Sequence, residues 1–174
     1  MSTITPARTA GASLAAIFGA LAIASPALIE DEGWVTVTYD DPVHGAALPT
    51  ACGGITGAKY GIVAGRKFTQ RECVEITARA YLDHALAIQH CIPVDLPLNM
   101  HAAFIRFTVN LGAPKTCGST MIAKANRGDL RGACAEIPKW KYAGGTVWPG
   151  LVKRRTRERD MCDRGVTERE RGVA

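Results

Sequence analysis

The chain has 174 residues, 47% of them hydrophobic, and a formal net charge of +5. That length holds one ordinary domain or two small lobes, and the composition excludes a disordered chain. The positive excess suits a polyanionic partner such as nucleic acid, an anionic cell wall or a membrane surface, while any single basic cluster reads equally well as a solvated face.

Residues Thr9 to Ile29 carry no charge and are rich in Ala and Gly. Their length is near the minimum for a membrane span, but their hydrophobicity is weak. Four readings stay open: a cleavable signal peptide, since Ala22-Ile23-Ala24 fits the small-x-small pattern, a stable anchor, a segment that enters the membrane and later leaves it, and a buried Ala-rich helix. From Trp34, Val35, Val37 and Tyr39 alternate with Thr36 and Thr38, which predicts a strand. Glycines from Gly45 to Gly65 then punctuate a small β-rich lobe. The remainder reads as helices. Thr69 and Glu72 form a capping-box pattern opening a helix to about His90. A second, from about Asn99 to Asn110, is apolar enough to be the central buried helix, and Gly112 and Pro114 end it. Shorter helices follow over 119–126 and 129–136, then a turn around Trp140 to Tyr142 and a helix from Pro149 to Cys162. Residues 163–174 are charged and read as a frayed polar tail.

Two acidic clusters, Glu30-Asp31-Glu32 and Asp40-Asp41, flank the alternating run. Carboxylates so placed can face each other across a sugar ring, one protonating the leaving oxygen and the other orienting a water. Glu32, at the junction of apolar segment and strand, is a candidate acid beside the reading of a solvated helix-terminal Glu. Asp41 and Asp40 compete for the second role, and Thr50 is a candidate water ligand or an ordinary turn Thr. His44, His84, His90 and His101 form no nucleophile or metal pattern and read as structural or surface residues. Lys153, Arg154, Arg155 and Arg157, with Glu158, read as a solvated helix face and not as a nucleic-acid site. The six cysteines, Cys52, Cys73, Cys91, Cys117, Cys134 and Cys162, include no CxxC pair and fit three disulfides in an oxidising compartment. No metal or other cofactor is expected.

Glu32-Gly33, then Tyr39 and Asp41, then Pro49-Thr50 and Cys52, resemble the catalytic region of the phage-type lysozymes, the endolysin family. Later motifs agree in order and spacing: FTVNLG from Phe107, CGST from Cys117, Asn126 with Gly128-Asp129, Trp140 with Tyr142, and GLVKRR from Gly150 with Glu158-Arg159. The resemblance spans about Glu30 to Cys162. It implies an α+β, lysozyme-like fold with a small β-hairpin lobe, a larger helical lobe and a cleft between them. It also implies a monomeric muramidase that hydrolyses the β-1,4 bond between N-acetylmuramic acid and N-acetylglucosamine in peptidoglycan, with host lysis as the outcome. Glu32 takes the role of general acid, Asp41 orients water or stabilises charge, and Thr50 is the third member. Residues Val43 to Leu48 make the Asp-to-Thr gap three longer than the family's usual spacing, so Thr56 stands as the alternate to Thr50.

The resemblance also divides the chain into an export segment over 1–29, a catalytic domain over 30–162 and a tail over 163–174. Some endolysins carry an uncleaved signal-anchor-release segment directly before the catalytic Glu, and Thr9 to Ile29 matches that description. It implies residence in the host inner membrane, then release into the periplasm. Cleavage after Ala24 would leave too little chain for the helix that presents Glu32, so an uncleaved segment is expected. Six cysteines allow fifteen pairings; Cys134 and Cys162 sit on late helices that should pack together, and chain order pairs the others as Cys52–Cys73 and Cys91–Cys117.

Overall fold

The computed structural model describes residues 13–24, 35–41 and 45–172. In chain order it has α1 (Leu14–Ala24), then β1 (Tyr39–Asp41), β2 (Gly45–Ala51) and β3 (Ile55–Thr56). The helical part follows as α2 (Gln70–Ala87), α3 (Leu98–Leu111), α4 (Ala113–Cys117), α5 (Thr120–Asn126) and α6 (Leu130–Glu136). A hairpin of β4 (Tyr142–Ala143) and β5 (Thr146–Val147) precedes α7 (Pro149–Glu170). The first three strands form one antiparallel sheet in the order β1-β2-β3. This is the expected α+β arrangement of a small sheet beside a larger helical part.

The predicted central helix is α3. Every residue from Met100 to Thr108 is buried, so it has no wet face and must be covered all round. Its most extensive neighbours are α7 and α1, with α2 next. The polar groups it takes inside find partners. Thr108 Oγ1 donates to Phe104 O at 2.6 Å, Arg106 Nη1 donates to Ala24 O at 3.1 Å, and the His101 ring lies 3.4 Å from Gln89 Nε2. Start signals behave as read. Thr69 Oγ1 accepts from Glu72 N while Glu72 Oε2 accepts from Thr69 N, the reciprocal pair of a capping box. Ser119 and Asp129 cap α5 and α6, and Pro149 opens α7.

Three expectations are corrected. Residues 163–170 are not a frayed tail but the last two turns of α7. Val166 is buried, Asn99 Nδ2 donates to Glu168 Oε2 at 2.7 Å, Arg169 Nη1 donates to Asp95 O at 3.0 Å, and Arg131 pairs with Glu170. A charged surface thus hides one buried seam, which Gly165 lets approach α3. The strand predicted from Trp34 is divided between partners: Val37 forms an antiparallel bridge with Lys67, and the ladder to β2 begins only at Tyr39. Thr38 N donates to Arg66 O, Phe68 N to Thr36 O and Cys52 N to Val35 O. The turn at Trp140 to Tyr142 opens the β4–β5 hairpin, whose Gly144 and Gly145 both have positive φ. Among the described residues no helix is long and apolar enough to cross a membrane.

All three expected disulfides are present: Cys52–Cys73, Cys91–Cys117 and Cys134–Cys162.

Two measurements check this packing. A Cβ at Gly165 would stand 2.6 Å from Met100 N, a backbone atom that cannot swing aside. Gly165→Ala gains up to about 1 kcal/mol of helix propensity. The forced separation of α3 and α7 outweighs it, for a net loss of about 1–2 kcal/mol by urea unfolding. Burial holds the His101 imidazole down to about 4, from an ordinary value of 6.5. Between those values the unfolded chain binds a proton that the folded one refuses. Stability is therefore fully present above pH 6.5 and falls as the pH drops toward 4, by a total on the order of 3 kcal/mol. His101→Gln flattens that part of the stability–pH curve.

Candidate active site

The sheet brings the two candidate threonines together. In the β1–β2 ladder Tyr39 faces Thr50, and in the β2–β3 ladder Thr50 faces Thr56. Directly opposed residues in antiparallel strands point to the same face, so Tyr39, Thr50 and Thr56 form one row. Thr50, on the central strand, is 2% exposed, while Thr56 is half-buried. The longer Asp-to-Thr loop has a structural account. Asp40 pairs with Pro49 but Asp41 with Gly45, so one step on β1 matches four on β2. The three extra residues are taken up as an irregularity inside the hairpin, and the register is regained before Thr50. Asp41 ends β1. Glu32 lies outside the described residues, and with it the expected carboxylate pair across a cleft.

The turn after Thr50 is held from the helical side. Cys52 has φ 52°, a left-handed conformation uncommon outside glycine, and Gly53 and Gly54 continue it at 75° and 80°. What keeps a β-substituted residue there is a double attachment to α2. The sulfur of Cys52 is bonded to Cys73, and its carbonyl accepts from Thr77 Oγ1 at 3.0 Å. A second tie joins the segment after β3 to α2. The Tyr60 hydroxyl donates to Asp83 Oδ2 at 3.1 Å, and Lys59 Nζ lies 3.2 Å from the same oxygen.

Between α3 and α7 lies a buried charged group that the sequence reading placed in solvent. Arg155 and Glu158 are 1% and 0% exposed. Arg155 Nε approaches Glu158 Oε2 at 3.1 Å, and its Nη2 donates to Asn110 Oδ1 at 2.8 Å. Its guanidinium lies over the Phe107 ring at 4.8 Å, and Phe107 meets Trp140 edge-on at 5.6 Å. Burial lowers the Arg155 pKa to about 10 against the pull of Glu158, and Arg106 is close enough to add a smaller lowering. At neutral pH it stays charged. The correction has a simple cause. A run of basic residues on a helix of 3.6 residues per turn must send at least one inward when the helix also packs. Glu158 three positions after Arg155 was the available signal.

The motifs that the resemblance rested on meet around α3: Asn110 and Phe107 on it, Arg155 and Glu158 on α7, Trp140 before β4. A possible metal cluster of His90, Cys91 and Cys117 brings donors within 4.8 Å of one another, but the two sulfurs are bonded to each other. A disulfide is not a thiolate ligand.

A sequence profile of the phage lysozyme family matches residues 29–158. The chain is 36% identical over 147 residues to the SAR-endolysin of Bacteriophage PS119, covering 83% of this chain and 87% of that one. It is also 36% identical over 150 residues to the SAR-endolysin of Enterobacteria phage P21, covering 83% and 88%. Among solved structures, the endolysin from Escherichia coli O157:H7 phage FAHEc1 superposes with a TM-score of 0.69 at 23% identity, over 83% of this chain and 90% of that one. The active form of the P1 phage endolysin Lyz gives 0.68 at 22%, over 90% and 97%. These likenesses make the fold lysozyme-like.

Cys52 and Cys73 supply a test of the site's support. The double substitution Cys52→Ala/Cys73→Ala lowers stability by roughly 2–4 kcal/mol. Amide exchange over residues 50–56 rises further in it than in Cys134→Ala/Cys162→Ala, a comparable loop closed between α6 and α7, when both are followed below their unfolding transitions.

Proposed function

The chain belongs to the phage lysozyme family, and from that premise we propose that it is an exported muramidase cutting the β-1,4 bond between N-acetylmuramic acid and N-acetylglucosamine. The observation that carries this reading is the span of the family match. It runs from residue 29 to 158 and so includes Glu32, Asp41 and Thr50 in the order that the chemistry needs.

In the proposed mechanism Glu32 protonates the glycosidic oxygen as the bond to the anomeric carbon breaks. Asp41 stabilises the positive charge that develops on the sugar, or orients the water that attacks it. The hydroxyl of Thr50 hydrogen-bonds that water. Its near-complete burial supports the role, because a hydrogen bond held out of solvent does not compete with bulk water. Its place opposite Tyr39, with the extra residues of the hairpin absorbed before it, favours Thr50 over Thr56. A net charge of +5 helps hold the enzyme on an anionic cell wall.

For the N-terminal segment we favour the signal-anchor-release reading: residence in the inner membrane, then release, uncleaved, into the periplasm. Support comes from α1. Ile17, Ala20 and Ala24 are buried, yet the exposed part of the helix carries Leu14 and Phe18 at 66% and 58% exposure. A helix adapted only to packing on a protein core carries polar residues outward. One that is apolar all round is suited to lipid as well. Three disulfides fit the oxidising compartment beyond the membrane.

The deciding measurement is mass analysis of digested peptidoglycan, with Glu32→Gln alongside. Wild type releases muropeptides with reducing ends, and the variant is slower by at least about 100-fold. Anhydromuramyl products instead mean a lytic transglycosylase. Equal rates for variant and wild type remove Glu32 from the mechanism, and wall binding without release of fragments means a non-catalytic protein.

A further inference from the structure

Four of the six cysteines, Cys52, Cys73, Cys134 and Cys162, are fully buried, and the two disulfides they form are closed to solvent. Cys91 and Cys117 are only half-buried. The exposed ring of His90 stands beside them, with Nε2 3.8 Å from Cys117 Sγ. The two sulfurs and a His90 ring nitrogen all lie within 4.8 Å of one another. Thiol–disulfide exchange needs a thiolate to reach one of the bonded sulfurs, so this is the disulfide that a dissolved thiol opens first.

What holds the three side chains together does not depend on the bond between the sulfurs. Cys91 closes the short turn Gln89–Cys91, and its N donates to Ile88 O at 3.2 Å. Its carbonyl accepts from Asn126 Nδ2 at 2.8 Å, which ties it to the last residue of α5. Cys117 ends α4, where Gly118 N donates to Pro114 O at 3.1 Å and Ser119 then caps α5. Both cysteines are thus attached to α5, one at each end of it, and their Cα atoms are 5.6 Å apart. Parted by reduction, the two thiols stay neighbours.

We propose that reduction of the Cys91–Cys117 disulfide turns this corner into a zinc site, with Cys91, Cys117 and His90 as ligands and water in the fourth position. Two molecules of a small thiol give up two electrons and two protons and leave as their own disulfide, so the bonded sulfurs become two thiols. Zinc then displaces the two thiol protons to solvent and takes the lone pair of the neutral His90 ring. With zinc about 2.3 Å from sulfur and about 2.1 Å from nitrogen, tetrahedral angles place the two atoms about 3.5 Å apart. Cys117 and His90 are already close to that separation. The sulfurs have to open to about 3.8 Å, which rotation about the Cα–Cβ bonds supplies. Disulfide and metal close the same loop, of sequence separation 26, so the turn after α2 stays tied to α4 in both redox states. None of Glu32, Asp41 and Thr50 takes part, and the site stands apart from the muramidase reading.

The experiment uses the full chain. One portion is incubated with increasing glutathione and alkylated, and the labelled cysteines are located by mass spectrometry. A second portion, reduced in the same way and freed of thiol under argon, is titrated with Co2+ as an optical probe for zinc, beside His90→Ala and Cys91→Ser/Cys117→Ser. Cys91 and Cys117 are expected to be labelled at a thiol concentration at least roughly tenfold below that needed for the other four, with the amide protection of α3 and α7 retained. One equivalent of Co2+ then gives the intense visible bands of tetrahedral coordination and a sulfur-to-metal charge-transfer band, and Zn2+ removes both. His90→Ala weakens binding by at least roughly tenfold, and Cys91→Ser/Cys117→Ser shows no charge-transfer band. The proposal is overturned if the other disulfides open together with this one, or if opening it unfolds α3 and α7. It is equally overturned if Co2+ stays octahedral without a sulfur band, or if His90→Ala binds as tightly as wild type.

Discussion

A helix without a wet face dictates most of this architecture. Nine consecutive residues of α3 are removed from water, including a histidine, an arginine and a threonine. Such a helix cannot exist alone; the apolar area it would expose and the polar groups it carries both demand a surround. Helix α7 covers one side, α1 another, and α2 closes a third. Gly165 is where α7 comes close enough to touch the backbone of α3. The β-sheet is tied to α2 by one disulfide and a few polar contacts.

The interior therefore has an uneven character. Around Met100, Phe104 and Ile105 it is an ordinary apolar core. Around Asn110, Arg155 and Glu158 it is a charged group shared by α3 and α7, while Arg106 reaches from α3 to Ala24 on α1. Buried ion pairs contribute little net stability against apolar replacements, but they penalise wrong arrangements heavily because a stranded charge is costly. A group of that kind lies where α3 and α7 meet.

Periodicity made the helices legible. Met100, Phe104 and Phe107 recur at helical spacing, and caps at Thr69, Ser119 and Asp129 mark the starts to within a residue. The expectation that late helices pack together spoke only for Cys134–Cys162; the other two pairs followed chain order, which the structure bears out. The losses had specific causes. Residues 163–170 look like a tail because their buried seam is only Gly165 and Val166, too thin for a hydropathy pattern. Arg155 and Glu158 look like solvent residues because burial of a charged pair depends on what the helix packs against, which lies outside the local sequence. The Val35–Tyr39 alternation is a sound strand signal, met first by an antiparallel bridge of Val37 to Lys67 and then by β1 from Tyr39, a change of partner that local sequence does not encode. Of the catalytic assignments, Thr50 acquired a place and a neighbourhood, whereas Glu32 keeps only what the family resemblance lends it.

The three disulfides share a further property. Each joins a cysteine to the very next one along the chain, with separations of 21, 26 and 28 residues, so the loops neither interleave nor nest. For a polypeptide that emerges N-terminus first, the correct partner of every second cysteine is the thiol that arrived just before it. Simple order of appearance then yields the native connectivity, without the reshuffling that crossed pairings require. Oxidation can keep pace with emergence, and no loop has to wait for the C-terminus.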